Sequence, residues 1–206
     1  MKTLTNVEYN LAVEICARFE QIGMFEDDKY EFAPGVEYYC GATRMCYSTD
    51  ELPGWVIKVD FSGTHFDHTA REAENYKDAV AEGLGDFFAS TYKIYECEDG
   101  RAVCVQEEVS VDSEAVTDSW YTYTRDNCVD CDDLQEALDN GYEESEYVWD
   151  VMNEMEDWER VEAIYGFNEK LEKFISSHHI NDLHEGNWGE SEYSGIIMMD
   201  YAGYGF

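Results

Sequence analysis

The chain has 206 residues, 44% of them hydrophobic and 15% aromatic, so it can bury one good core or two small lobes and is no disordered acidic tail. Its 47 acidic residues against 13 basic ones give a formal net charge of −34, which excludes ordinary nucleic-acid binding and disfavours anionic membranes. No apolar run reaches the roughly 18 residues needed to span a bilayer, and Met1-Lys2-Thr3-Leu4 leads into a polar amphipathic segment, not an apolar leader, which points to a cytoplasmic chain.

Thr5-Asn6-Val7-Glu8 has the pattern of a capping box, in which a hydroxyl and a carboxylate satisfy each other's backbone amides at a helix start. Val7, Leu11, Ile15, Phe19 and Ile22 then recur at helical spacing until Gly23. Residues 1–29 are therefore expected to form an N-terminal helical extension. From Tyr30 to Phe61 the pattern is strand-like. Tyr38-Tyr39-Cys40 and Arg44-Met45-Cys46-Tyr47 flank Gly41-Ala42-Thr43 as a hairpin would, and Trp55 to Phe61 is a β-branched and aromatic run after the turn Pro53-Gly54. Thr69 to Glu82 reads as a helix with Ala70, Ala73, Tyr76 and Val80 on one side. Phe87 to Tyr95 and Arg101 to Val111 read as two strands joined by a turn.

Val116 to Asn140 reads as an acidic connector with a short helix at Asp132 to Leu138. Glu144 to Ser176 reads as one or two helices, with Val148, Val151, Met155, Trp158, Val161, Ile164 and Tyr165 in a stripe that Leu171, Phe174 and Ile175 extend. Between Arg101 and Arg160 the one basic residue is Arg125, against 19 acidic residues. That density is either a solvated surface or a face that docks a basic protein, in the manner of a DNA mimic. The seven cysteines are an odd, scattered set that fits reduced thiols. Cys128-Val-Asp-Cys131 could bind zinc only with a second pair, for which His65 and His68 are the candidates.

The last quarter carries the chemistry. Asp182 and Asn187 are five apart in a turn-rich loop, and Asp200 follows an apolar run thirteen residues after Asn187. Upstream, Lys58 lies inside the apolar run Val56-Ile57-Lys58-Val59, where an ammonium needs a partner or a path to water. Glu72 on the following helix is the expected partner, with Glu74 the competitor.

Taken in order, Lys58, Glu72, Asp182, Asn187 and Asp200 resemble the catalytic set of the protein-kinase-like phosphotransferases. The likeness covers about residues 30 to 203 and is nearest to minimal kinase-like proteins of phage and bacteria. It implies an α+β fold: a kinase-like small lobe over residues 30–112, an antiparallel sheet plus helix, then an acidic connector and a truncated, mostly helical large lobe over 113–206. It implies ATP and Mg²⁺ as cofactors. Asp182, Lys58 and Glu72 would be catalytic, and Asn187 and Asp200 would hold metal. Gly41, Thr43, Lys58, Glu107 and Val109 would contact the nucleotide. The chain departs from the family pattern in four ways. It has no glycine-rich phosphate loop, so side chains such as Thr43 and Arg44 would cover the phosphates. Ile180 stands where His is usual, and Asp200-Tyr201-Ala202 where Asp-Phe-Gly is usual. No substrate platform follows Phe206. The resemblance thus implies Mg²⁺·ATP-dependent phosphoryl transfer. The alternative is a catalytically weak kinase-like protein, such as a phage-encoded inhibitor, whose acidic surface captures a basic host protein.

Overall fold

The computed structural model describes residues 1–26, 34–41, 43–64, 67–110, 113–181 and 183–202. These build an α+β fold with a five-stranded antiparallel sheet, a separate two-stranded hairpin and seven α-helices. Helix α1 (Asn6–Gln21) starts at the capping box foreseen: Thr5 Oγ1 accepts from the Glu8 amide at 3.2 Å, and Glu8 Oε2 accepts from the Thr5 amide at 2.8 Å.

The sheet contains β1 (Val36–Cys40), β2 (Arg44–Thr49), β3 (Trp55–Asp60), β4 (Thr91–Glu96) and β5 (Ala102–Glu107), in the order β1-β2-β3-β5-β4. Strand β3 is central and pairs with β2 and β5. Its side chains alternate between faces. Trp55, Ile57 and Val59 point to one side and join Val103, Val105, Met45 and Tyr47 in a core that α1 closes with Ala12, Ile15, Cys16 and Phe19. Lys58 points to the other side, toward helix α2 (His68–Ala81). The helical extension thus covers one sheet face, where burying each Ile or Phe stabilises by ~1.5–3 kcal/mol.

Two stripes differ from expectation. On α1, Val7 is 77% exposed and Ile22 is also exposed, while Ala12 and Cys16 take their places in the core. The flat sheet selects a narrower face than the apolar periodicity offered. On α2, Val80 is exposed, and the buried face includes Thr69, Glu72, Ala73, Asn75, Tyr76 and Ala79. Polar Thr69, Glu72 and Asn75 turn inward together with apolar residues and make the hydrogen bonds described below.

The second half is built around another core. Helix α3 (Ser113–Asn127) occupies most of the stretch expected to be a connector. Val116, Trp120 and Thr124, four residues apart, are buried along it, a stripe one residue wide and hidden in the sequence by the acid around it. Helix α4 (Cys131–Asp139) matches the short helix foreseen but buries no residue. The stretch expected to be one or two helices is three: α5 (Glu144–Asn153), α6 (Asp157–Tyr165) and α7 (Glu169–Ser177). Glu156 opens α6 with its own capping box to Glu159, Gly166 ends it at φ 71°, and the Asn168 side chain caps α7. Trp120, Val161, Leu171, Phe174 and Trp188 pack with Tyr76 and Ala79 of α2, so α2 is shared by both halves. A 3-10 turn at Gly85–Phe87 occupies the start of the expected strand from Phe87, and β4 begins only at Thr91.

Among the described residues no helix is long and apolar enough to cross a membrane.

Candidate functional site

The site begins with how α2 is fixed to the sheet. Asp60, the last residue of β3, accepts from the Thr69 amide at 3.2 Å and from its hydroxyl at 2.7 Å. Asp67 caps the same helix start by accepting from the Ala70 amide at 2.9 Å. Thr69 thereby sets the rotation of α2, and Glu72, one turn on, faces β3. Two residues back from Asp60 on the same strand face is Lys58.

Lys58 Nζ donates to Glu72 Oε2 at 3.1 Å and to the Met199 carbonyl at 2.8 Å. Glu72 is completely buried, whereas its competitor Glu74 is exposed. A second cation reaches the same carboxylate: Arg44 Nη1, from the first residue of β2, is 3.0 Å from Glu72 Oε2. The other Arg44 amino group pairs with Asp200 Oδ1. Glu72 Oε1 accepts from the Tyr201 amide at 3.2 Å, and Asn75 donates to the Tyr201 carbonyl at 2.9 Å. Residues 72 and 75, one helical turn apart, therefore hold the backbone of residue 201 on both sides.

Asn187 and Asp200 meet because the chain between them doubles back. Strands β6 (Trp188–Ser191) and β7 (Gly195–Met198) pair as a hairpin, with Trp188 opposite Met198. The Asn187 carbonyl accepts from the Met199 amide at 2.9 Å. Asn187 ends a short 3-10 turn, Glu185–Asn187, that His184 caps by accepting from the Gly186 amide at Nδ1, 3.0 Å. This bond gives His184 a structural role in the loop.

These groups border a cavity of about 430 Å³, within the range of small-ligand sites, whose walls include Val56, Lys58, Glu107, Val109, Asn187 and Asp200. Val56 is two residues before Lys58 and shares its face, so one strand supplies an apolar wall and a cation. At the far end of β5 the Glu107 amide is committed to the Ser90 carbonyl at 2.8 Å and the Glu108 amide to the Gly54 carbonyl at 3.0 Å. The Val109 amide has no partner among the described residues. Val109 also packs tightly on the bare backbone of Gly189: a Cβ there would sit 2.5 Å from a Val109 methyl.

The electrostatics favour an ionised Asp200. Burial alone would raise its pKa, but Arg44 and Lys58, with the Arg44 hydrogen bond, hold it below the ordinary 3.8. Its side chain still keeps 42% of its surface open. Burial likewise opposes the charge on Arg44, yet Glu72 and Asp200 outweigh it and fix the guanidinium as a cation.

Of the residues singled out from sequence, Lys58, Glu72, Glu107, Val109, Asn187 and Asp200 come together here. Gly41 and Thr43 do not border the cavity. They lie at the β1–β2 turn, where the Gly41 amide donates to the Arg44 carbonyl at 3.0 Å and the Thr43 carbonyl accepts from Phe61 at 3.0 Å. The hairpin instead presents Tyr39 and Cys46 to the cavity. Asp182 lies outside the described residues. Its neighbour Leu183 is buried, its amide donating to Asp157 at 2.9 Å and its carbonyl accepting from Arg160 at 3.2 Å, so α6 anchors that loop. Of the possible zinc ligands, His65 also lies outside the described residues, while Cys128 and Cys131 flank the α3–α4 junction and His68 opens α2.

No protein-family model matches the chain, and no curated protein matches it in sequence.

Sequence reasoning overlooked Asn75, Val56 and Met199. The first two had a signal: Asn75 is three residues from Glu72 on one helix, and Val56 is two from Lys58 on one strand. Met199 contributes through its carbonyl, which no side-chain pattern reveals.

Among the described residues no three His, Cys, Asp or Glu side chains gather as a metal cluster. The hard oxygens of Asn187 and Asp200 are the donors at hand. These two residues would hold Mg²⁺, a hard cation that takes oxygen ligands.

Proposed function

We propose that the cleft binds Mg²⁺·ATP and that the chain is a phosphotransferase of the protein-kinase-like kind acting on a hydroxyl acceptor. One observation carries this reading: Lys58, held 3.1 Å from the buried Glu72, lines one cleft with Val109, Asn187 and Asp200. The order and pairing of the sheet, with α2 between β3 and β4, support a small lobe over residues 30–112, and the helices with the β6–β7 hairpin support a reduced large lobe beyond it.

On this reading Val56 and Val109 sandwich the adenine and the Val109 amide donates to its edge. Lys58, oriented by Glu72, lies against the α- and β-phosphates. Asn187 and Asp200 would hold Mg²⁺, which would supply positive charge against the phosphates. Asp182 orients the acceptor hydroxyl and takes its proton. The new oxygen–phosphorus bond forms as the bond from the γ-phosphorus to the β–γ bridging oxygen breaks, and ADP leaves with that electron pair. Positioning and fixed charge do most of the work, since such a transfer needs little covalent chemistry from the protein.

The test is calorimetric titration of Mg²⁺·ATP into wild-type protein and Lys58→Met, followed by transfer assays on Asp182→Asn. The expected results are binding that Lys58→Met weakens at least about tenfold, the value of one charge-assisted contact, and transfer that Asp182→Asn abolishes while binding persists. Absence of binding at millimolar ATP refutes the reading.

A second reading has its own support. Leu138, Tyr142 and Trp149 are exposed on and near α4 and α5, where acid is dense and α4 buries nothing. Apolar anchors within an acidic field suit a basic protein partner. Salt-sensitive capture of a basic protein, lost in Trp149→Ala and unaffected by Asp182→Asn, supports it.

A further inference from the structure

Arg44 occupies the carboxylate that a metal would need. Its guanidinium is buried, 5% exposed, and spans two acids, with one amino group on Asp200 and the other 3.0 Å from Glu72. With Lys58 it makes two cations against Glu72 and Asp200, and Asp60, opposite Arg44 on β3, adds a third carboxylate nearby. A divalent cation at Asp200 adds two positive charges beside a fixed guanidinium. Coulomb repulsion at a few ångströms in a half-buried site is strong, so metal and Arg44 cannot both hold that carboxylate. Arg44 is the first residue of β2, and the sequence before it carries no glycine-rich loop. Its Nη1 is in charge contact with Glu72 but makes no hydrogen bond.

We propose that Arg44 is an exchangeable counter-ion of the metal carboxylate: it holds Asp200 and the cleft in register until a divalent cation displaces it, and the released guanidinium then serves as the phosphate clamp that the glycine-poor turn lacks. Arg44 is a positioning residue here, and it sets the metal requirement of the site. The inference rests on the nucleotide reading only for its second half; the exchange at Asp200 stands on the ion pairs alone.

The experiment follows Mn²⁺, a paramagnetic stand-in for Mg²⁺ at oxygen donors, by electron paramagnetic resonance. Wild type, Arg44→Gln and Arg44→Lys are titrated alone and with a non-hydrolysable ATP analogue. Each is compared with its Asp200→Asn counterpart, which subtracts ions gathered by the acidic surface. In both arms Arg44→Gln is expected to tighten the Asp200-dependent Mn²⁺ site by about tenfold, the scale of one charge-assisted hydrogen bond removed from competition. Arg44→Lys is expected to fall between the two, because a single ammonium cannot span both acids; it carries the test if Arg44→Gln does not fold. For the analogue itself, Arg44→Gln is expected to weaken binding. Equal Mn²⁺ affinity in wild type and both variants overturns the exchange while leaving the nucleotide site to stand on its own titration. Tighter Mn²⁺ binding without any binding of the analogue keeps the exchange and sinks the nucleotide reading together with the clamp.

Discussion

Replacing Glu72 by Gln isolates the charge at the centre of the cleft. The side chain is fully buried and meets Lys58 at 3.1 Å, Arg44 at 3.0 Å and the Tyr201 amide at 3.2 Å. Gln keeps the volume and can still accept from Tyr201 through its oxygen, while its NH2 then faces Lys58 and Arg44 as one more donor, so the change removes both the charge and their shared acceptor. What is lost is the negative charge between two buried cations. Removing one partner of a buried ion pair destabilises by ~3–5 kcal/mol. The lower end applies here, because Lys58 keeps the Met199 carbonyl and Arg44 keeps Asp200. The expected loss is therefore ~3 kcal/mol, which for a chain of this length lowers the melting temperature by ~6–12 °C. Urea unfolding followed by tryptophan fluorescence measures it, with Glu74→Gln on the exposed side of the same helix as control, expected within ~0.5 kcal/mol of wild type. A Glu72→Gln loss below ~1 kcal/mol, no more than an average surface-tolerated change, would show that the cleft is not held by this carboxylate and would refute the argument.

Asp200 makes a prediction with a definite sign. Its pKa is depressed in the folded state, so its contribution to stability is complete above the ordinary 3.8 and is lost as pH falls through the lower folded value. The stability advantage of wild type over Asp200→Asn, from urea titrations at several pH values, should shrink below that point; an advantage that grows on acidification contradicts the assignment. Trp120 is nearly buried, its ring centroid 6.3 Å from that of Trp188 and its ring lying under Arg160. Trp120→Ala should cost ~3–5 kcal/mol in denaturant unfolding, whereas a value near zero would mean that α3 is the peripheral connector its composition implies. The net charge of −34 should make the melting temperature rise with added sodium chloride as self-repulsion is screened; a fall between low and molar salt would mean that specific ion pairs outweigh that repulsion.

Much of the small sheet and its helix was readable because local chemistry and tertiary need agree there. The Thr5–Glu8 box, the β-branched run at Trp55 and the spacing from Asn187 to Asp200 each state one structural requirement plainly. Where they disagree, the reading fails in a consistent direction. Val7 and Ile22 extend the periodicity of α1 beyond the part that touches the sheet. Val116 and Trp120 are sparse enough among acids that α3 passes for a linker, since one buried residue per turn carries little average hydropathy. The breaks between α5, α6 and α7 rest on Glu156, Gly166 and Asn168, short signals inside a continuous apolar stripe. Lys58 and Glu72 could be paired from sequence because each is an oddity that needs the other. Arg44 could not be assigned its two acids, because its place depends on where Asp200 arrives in space. The Asp182 assignment rests on sequence alone.

The manner in which residue 201 is gripped has a consequence for how the chain is made. Glu72 and Asn75 hold its backbone across separations of 129 and 126 residues, and Lys58 reaches the Met199 carbonyl across 141. During synthesis the sheet and α2 emerge long before that segment. Until it arrives, Arg44 lacks Asp200, Lys58 lacks the Met199 carbonyl and Glu72 lacks the Tyr201 amide, so the polar cluster between β3 and α2 stays incomplete. Docking of that segment is then the late step that closes the cleft.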